Sequence, residues 1–463
     1  MLSMRNILLL FLFLSSQTFA QLPQLKVSEN HRFLQTEDGK PFFWTGDTAW
    51  ELMHKLDNEE VEYYLEKRSS QGFNIVQTVI LAELDGLHTP NAYGEKPFIS
   101  INPLKFNPEY IKHVRKVIEI AEEHKMYIAL LPTWGDKLFK NTWGEGPEIF
   151  TEELAFEYGK YLGLHLRDKT NIVWILGGDR NPRESSKDVA VWQSMAKGID
   201  VGLGVFVTGI KSFHPQPASP GGSSNWFHKD EWLSFNMHQT GHCPNEPTYK
   251  KIANDYNLLP TKPTLDSEPL YEDHPNCFNA KELGYSLPQD IRRIMYWNVF
   301  AGALGQTYGC HDVWQMYDIG DKGVNGPLRP WKVALDLPMA NQMKHLKNLM
   351  LSRPYFDRIP DQSIIDVDQK EDENYAVATR DDAGTYAFIY FPTGKTTNIN
   401  TKNLAGQNLR IWWYDTRTGA SFALGLMQNF GSFAATPPSS ENDWVLVIDD
   451  AVKGYDKPGV VAY

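Results

Sequence analysis

From Phe42 to about Arg353, short apolar runs alternate with stretches whose apolar residues recur every three or four positions. The first pattern belongs to buried strands and the second to amphipathic helices, so the alternation predicts parallel β/α architecture. The apolar runs fall at 42–45, 74–79, 127–131, 172–176, 205–209, 233–237, 264–267 and 303–308. Between them, Asp57 with Glu60 opens a helix that ends at Gly72, and Asn107-Pro108 opens a second. Further helices are expected from Thr151 to about 167, at 188–199, at 248–256, after a Ser286/Gln289 capping box, and at 337–351. Eight strand–helix units in about 310 residues suit a (β/α)8 TIM barrel. A doubly wound open sheet is the alternative, but no dinucleotide fingerprint accompanies it.

Beyond Pro354 the texture changes to strand-like runs at 363–367, 375–379, 385–391, 409–414 and 444–448, separated by turn residues. They predict a small β-sandwich. The fold class is thus α/β, a TIM barrel at 21–353 followed by a C-terminal β-sandwich at 354–463, with no long linker between them. In Trp412-Trp413 alternation turns the two rings to opposite faces, one available to the barrel or to an outside glycan or protein.

Residues 1–20 read separately. Arg5, the apolar run ILLLFLFL and Thr18-Phe19-Ala20 have the order of a cleaved secretory signal, with a membrane anchor as the alternative. Gln21 follows the expected cut, so no lipid-bearing Cys is created there. The expected location is secreted or periplasmic, with no membrane span. A net charge of −12 argues against nucleic acid as a partner. Of three cysteines, Cys243 and Cys277 fall in consecutive barrel loops and are the expected disulfide; all three reduced and buried is the other possibility.

Barrel enzymes place chemistry at the carboxyl ends of their strands. The residues there include Asp47, Trp50, Gln77, Trp134, Asp179, Asn236, His238, Glu268, Tyr271, His311 and Trp314. Amides and imidazoles match sugar hydroxyls, and Trp covers a sugar's apolar face. Two opposed carboxylates can cleave an acetal, one protonating the leaving oxygen and the other attacking the anomeric carbon or activating water. Asp179 and Glu268 are the best-placed pair, although Asp179 paired with Arg180 and Glu268 as a rim ion are the alternatives. His238 and Tyr271 are candidates to orient Glu268, and Asn236 to bond a neighbouring hydroxyl. Asp47, Trp50, Gln77, Trp134, His311 and Trp314 are the remaining substrate-binding candidates. His238, His242, Cys243, His274 and Cys277 invite a zinc reading, but their spacing matches no closed ligand set, so no metal or other cofactor is expected. No His-Glu-x-x-His, nucleophile elbow or P-loop occurs.

Three segments resemble a known family. Phe42-Phe43-Trp44-Thr45-Gly46-Asp47-Thr48-Ala49-Trp50, Gly72-Phe73-Asn74 and Asn171-Ile172-Val173-Trp174-Ile175-Leu176-Gly177-Gly178-Asp179 look like the apiosidase-like barrels of glycoside hydrolase family 140. Ile411-Trp412-Trp413-Tyr414-Asp415-Thr416-Arg417-Thr418-Gly419 looks like the small β-domain, named for collagen binding, that often follows them. The resemblance implies a retaining hydrolase with Asp179 as acid/base and Glu268 as nucleophile. It implies an apiose linkage in the pectin rhamnogalacturonan II as substrate, hence a plant cell-wall oligo- or polysaccharide partner. Most barrels of that clan carry Asn-Glu where this chain has Gly178-Asp179, which weakens any transfer of cellulase or mannanase specificity. The rival readings are a hydrolase for a different sugar and a non-catalytic matrix- or glycan-binding protein.

Overall fold

The computed structural model describes residues 21–101, 104–205 and 209–461, so the signal-sequence reading of 1–20 lies outside the described residues. A three-stranded antiparallel sheet within residues 25–42 leads into the barrel. The barrel strands are β1 (Trp44–Thr48), β2 (Ile75–Leu81), β3 (Tyr127–Thr133), β4 (Ile172–Gly177), β5 (Lys211–His214), β6 (Asn236–Gln239), β7 (Thr264–Glu268) and β8 (Gly305–Thr307). Parallel ladders join β8-β1-β2-β3-β4-β5, and β6 pairs with β7. Two seams complete the ring. Ser234 N–H donates to Lys211 O at 2.8 Å between β5 and the entry to β6, and Leu304 N–H donates to Thr264 O at 2.9 Å between β7 and the entry to β8. Every residue of β2, β3 and β4 is buried, as strands covered on both faces require.

The covering helices are α1 (Asn58–Ser70), α2 (Pro108–Glu123), α3 (Glu152–Leu166), α4 (Asp188–Leu203), α5 (Thr248–Tyr256), α6 (Pro288–Phe300) and α7 (Pro338–Leu351). Only the four-residue helix Ser224–Phe227 lies between β5 and β6. The Asp57 and Thr151 side chains accept the backbone N–H three residues on, and Asn107 accepts from Glu109, so these three caps are made.

Four local expectations need correction. The fifth strand is Lys211–His214, not 205–209: α4 runs on to Leu203, and Val205 is an exposed turn residue. Polar Lys211 and Ser212 disguised the true strand. Lys211 is buried with its ammonium on Asp200 and Gly209 O, and Ser212 Oγ donates to Phe235 O. The sixth strand starts at Asn236 rather than 233. The cap of α6 is Leu287 with Asp290, because Ser286 instead accepts from His274 N–H and donates to Tyr271 O. Residues 363–367 form a short 3-10 turn and a single bridge, Ile365 to Ile399, rather than a strand.

The C-terminal strands are β9 (Arg358–Pro360), β10 (Val377–Asp381), β11 (Tyr386–Phe391), β12 (Thr397–Asn400), β13 (Asn408–Asp415), β14 (Ser421–Gln428), β15 (Ser432–Ala435) and β16 (Trp444–Asp450). A six-stranded antiparallel sheet runs β9-β10-β11-β16-β13-β14, and β12-β15 form a small second sheet. Alternation sorts the large sheet's side chains. Tyr386, Phe388, Tyr390, Val445 and Val447 join the barrel's core, whereas Ala387, Ile389, Phe391, Leu446 and Ile448 join the sandwich's own. Trp413 packs inside the sandwich against Phe391, and Trp412 lies half-buried against the barrel side. Buried ion pairs bind the units, Arg292 to Asp443 and Arg353 to Asp449, the latter at 2.8 Å.

Candidate active site

A cavity of about 590 Å³ opens among the loops at the carboxyl ends of the barrel strands, within the range that holds small ligands. Asp179 and Glu268 both line it. Asp179 is placed by an unusual turn, in which Gly177, Gly178 and Asp179 have φ of 92°, 115° and 52°. The two glycines are sterically required. A Cβ at Gly177 would sit 2.3 Å from His214 O, and one at Gly178 would sit 2.9 Å from both Gly135 N and a Trp134 ring carbon. The close approach is used: Gly178 N–H donates to His214 O, and Gly178 O accepts from Gly135 N–H, each at 2.9 Å. The turn after β4 is thereby clamped between the ends of β3 and β5. A non-glycine residue at positive φ, as at Asp179, is strain held by its surroundings, a pattern common at functional sites.

Arg180 stands next to Asp179 without neutralising it. Its guanidinium donates to the carbonyls of Phe139, Lys140 and Asp179 itself and lies over Trp143, leaving only a 3.6 Å contact with the Asp179 carboxylate. Burial in the cavity, then the charge of Glu268, push Asp179 up to about 7.

Glu268 ends β7 under the opposite influence. Burial alone would raise its pKa, but His214 and His242 outweigh that and hold it well below the usual carboxylate range. His214 Nε2 lies 2.9 Å from Oε2, and His242 Nε2 lies 3.4 Å from Oε1. His214 Nδ1 accepts the backbone N–H of Asp179 at 3.3 Å, so the neutral ring carries its proton on Nε2, facing Glu268. The two acids therefore sit in one cavity with their ionisation pushed in opposite directions.

Of the other sequence-derived candidates, Trp50, Trp134, Tyr271, His311 and Trp314 line the cavity. The Trp50 and Trp134 rings pack 5.0 Å apart, and both pack on His214. Asp47, Gln77, Asn236 and His238 do not line it. Asp47 is fully buried with Arg68 Nε at 2.6 Å and Tyr64 as a further donor, tying β1 to α1. Gln77 Nε2 donates to Ser267 O at 2.9 Å across the barrel. Asn236 Oδ1 meets His228, and His238 lies 2.9 Å from Asp255, so neither reaches Glu268.

Several cavity residues carried no strand-end signal. Glu83, Trp143 and Gln216 come from loops. His242 stacks on His274 with ring centroids 4.1 Å apart, and His311 meets His274 edge-on at 4.5 Å. The apolar setting depresses His274 to about 2 and His311 to about 4, so both rings are neutral near pH 7. Cys243 and Cys277 are joined in a disulfide that fastens His242 and Phe278, their chain neighbours, onto the cavity wall. That leaves the zinc reading without its thiolates, and among the described residues no group of His, Cys, Asp or Glu is arranged to hold a metal. Cys310 is a buried free thiol. Among those same residues no helix is long and apolar enough to cross a membrane.

With a closed barrel, a carboxylate pair in its mouth and the comparisons that follow, the class is settled as a glycoside hydrolase. The chain belongs to the apiosidase-like family: residues 28–357 match "Apiosidase-like, catalytic domain". Residues 359–449 match "Putative collagen-binding domain of a collagenase". A solved family 5 glycoside hydrolase from Bacteroides vulgatus ATCC 8482 is 32% identical, with a TM-score of 0.85 over 95% of this chain and 96% of that one. Another solved chain, described as a glycoside hydrolase, is 31% identical, with a TM-score of 0.83 over 93% of this chain and 97% of that one. Among curated proteins no relative matches.

Proposed function

We propose that this protein is an exported retaining glycosidase that cleaves a sugar linkage of plant cell-wall polysaccharide, with an apiose linkage of rhamnogalacturonan II as substrate. The observation that carries the reading is the pair Asp179 and Glu268, facing one cavity with one pKa raised and the other lowered. Glu268, kept ionised, attacks the anomeric carbon. Asp179, protonated below about pH 7, delivers its proton to the departing oxygen. In the second half-reaction the Asp179 carboxylate takes a proton from water as that water displaces Glu268 from the sugar. Trp50, Trp134 and Trp314 offer flat faces to the ring. The family supports the apiose assignment, and a disulfide suits an oxidising, extracytoplasmic compartment.

The test is release of reducing sugar from branched pectic oligosaccharides by wild type, Asp179→Asn and Glu268→Gln, with the product anomer followed by NMR. The reading requires release by wild type, a loss of about 10³-fold or more in both variants, and a first-formed product with the configuration of the substrate. Equal rates in all three remove it.

A further inference from the structure

A third acid faces the cavity and takes no part in the steps above. Glu83 follows β2, beside Asp179. Its backbone is firmly held. The next residue, Leu84, donates its N–H to Glu51 Oε1 at 3.1 Å, and Glu51 is fixed in turn by His54 at 2.7 Å. Gly86 N–H closes the turn onto Ala82 O at 3.3 Å, in a fit so close that a Cβ on Gly86 would sit 2.6 Å from Ala82 N. Yet among the described residues the Glu83 carboxyl has neither a hydrogen-bond nor an ion-pair partner. A part-buried carboxyl on a rigid backbone, unsatisfied by the protein, is prepared for a polar group that arrives from outside.

The surroundings define that group. No Lys or Arg is among the described residues lining the cavity, whereas Glu145, Asp179 and Glu268 join Glu83 there. Arg180, the cation beside Asp179, directs its guanidinium to the carbonyls of Phe139, Lys140 and Asp179, so the lining favours a neutral sugar over a uronate. Burial, then the Asp179 and Asp136 carboxylates, push Glu83 well above the usual carboxylate range, which favours the protonated carboxyl, a donor as well as an acceptor.

We propose that Glu83 is a specificity residue whose carboxyl grips a hydroxyl of a neutral sugar, beside Asp179 and the scissile oxygen. The proposal rests on the glycosidase reading. Its role is binding, so substitution acts on KM more than on kcat.

The experiment compares wild type, Glu83→Ala and Glu83→Gln on the same pectic oligosaccharides, with Glu268→Gln as the inactive control. Glu83→Ala is expected to raise KM about tenfold with kcat within about threefold. Glu83→Gln keeps a neutral donor and acceptor, so KM returns to within about threefold of wild type with an unchanged pH profile. If Glu83→Ala fails to fold, Glu83→Met, of similar size but without the oxygens, takes its place. A wild-type KM in the apolar variant overturns the proposal. So does a kcat loss in Glu83→Gln as deep as in Asp179→Asn, which would make Glu83 a proton-transfer group. Activity that Glu268→Gln abolishes keeps the glycosidase reading intact in both cases. An inactive wild type removes that reading and this proposal together.

Discussion

Nε2 of His214 lies 2.9 Å from Oε2 of Glu268, while the other nitrogen of the ring accepts the N–H of Asp179. One imidazole therefore touches both halves of the carboxylate pair, the side chain of one and the backbone of the other. It sets the ionisation of Glu268 and steadies the turn that carries Asp179. His214→Ala should lower kcat/KM about 10–100-fold. It should also move the acid limb of the pH profile upward, because Glu268 loses a partner that holds its pKa down. A lower rate with an unmoved acid limb would leave His214 a packing role only.

Under the proposed mechanism Asp179 sets the basic limb. Activity should fall as pH rises through about 7, where the acid loses its proton. Stability should follow. The folded-state pKa lies above the ordinary 3.8, so native protein binds the proton more tightly than unfolded chain. The associated stability is full below about pH 4 and lost as pH rises through about 7. Asp179→Asn, which cannot ionise, should be more stable than wild type at pH 8, by roughly 4 kcal/mol, with the advantage shrinking at pH 5. Calorimetry at the two pH values reads the difference.

Gly178→Ala tests the turn itself. The new Cβ would press on Gly135 N at 2.9 Å, with φ at 115°. The expected cost is about 2–3 kcal/mol of stability. The shift of Asp179 should cost about 100-fold in kcat. Circular dichroism with steady-state kinetics separates the two effects.

The disulfide has its own measurable consequence. With Cys243→Ser and Cys277→Ser together, the loop bearing His242 is no longer fastened beside Glu268. Loss of the cross-link should cost about 2–4 kcal/mol of stability and lower kcat/KM. Thermal melting with and without reductant should show the gap in wild type and none in the double variant.

Arg292→Ala should be among the more destabilising single changes, at about 3–5 kcal/mol, because it strands the buried Asp443 carboxylate between the two units. Denaturant unfolding measures it.

The barrel was legible because its strands are continuous apolar runs and its helices carry caps such as Asp57 and Asn107. Where polar residues enter a strand by pairing out of sight, as Lys211 does with Asp200, the pattern goes silent. That Asp179 and Glu268 meet in one cavity was legible from their places as strand-end acids after β4 and β7. The histidine partners of Glu268 were not: His238 leaves β6 toward Asp255, whereas His214 ends β5 and His242 sits beyond β6. A one-dimensional pattern gives strand ends but not which way each side chain turns there. Asp47 shows the same limit, since its position suits the cavity mouth while its carboxylate turns to Arg68. Glu83 and Trp143 come from irregular loops, where periodicity carries no signal.

The large C-terminal sheet gives one set of side chains to the barrel and the other to its own interior. Cutting the chain at residue 353 would bare Tyr386, Phe388 and Tyr390 on one fragment and leave Tyr296 and Phe300 of α6 uncovered on the other. Neither piece is a detachable accessory. Expressed separately, the two halves should clump unless made together, and grafting this tail onto an unrelated enzyme would transplant an unsated greasy face along with it.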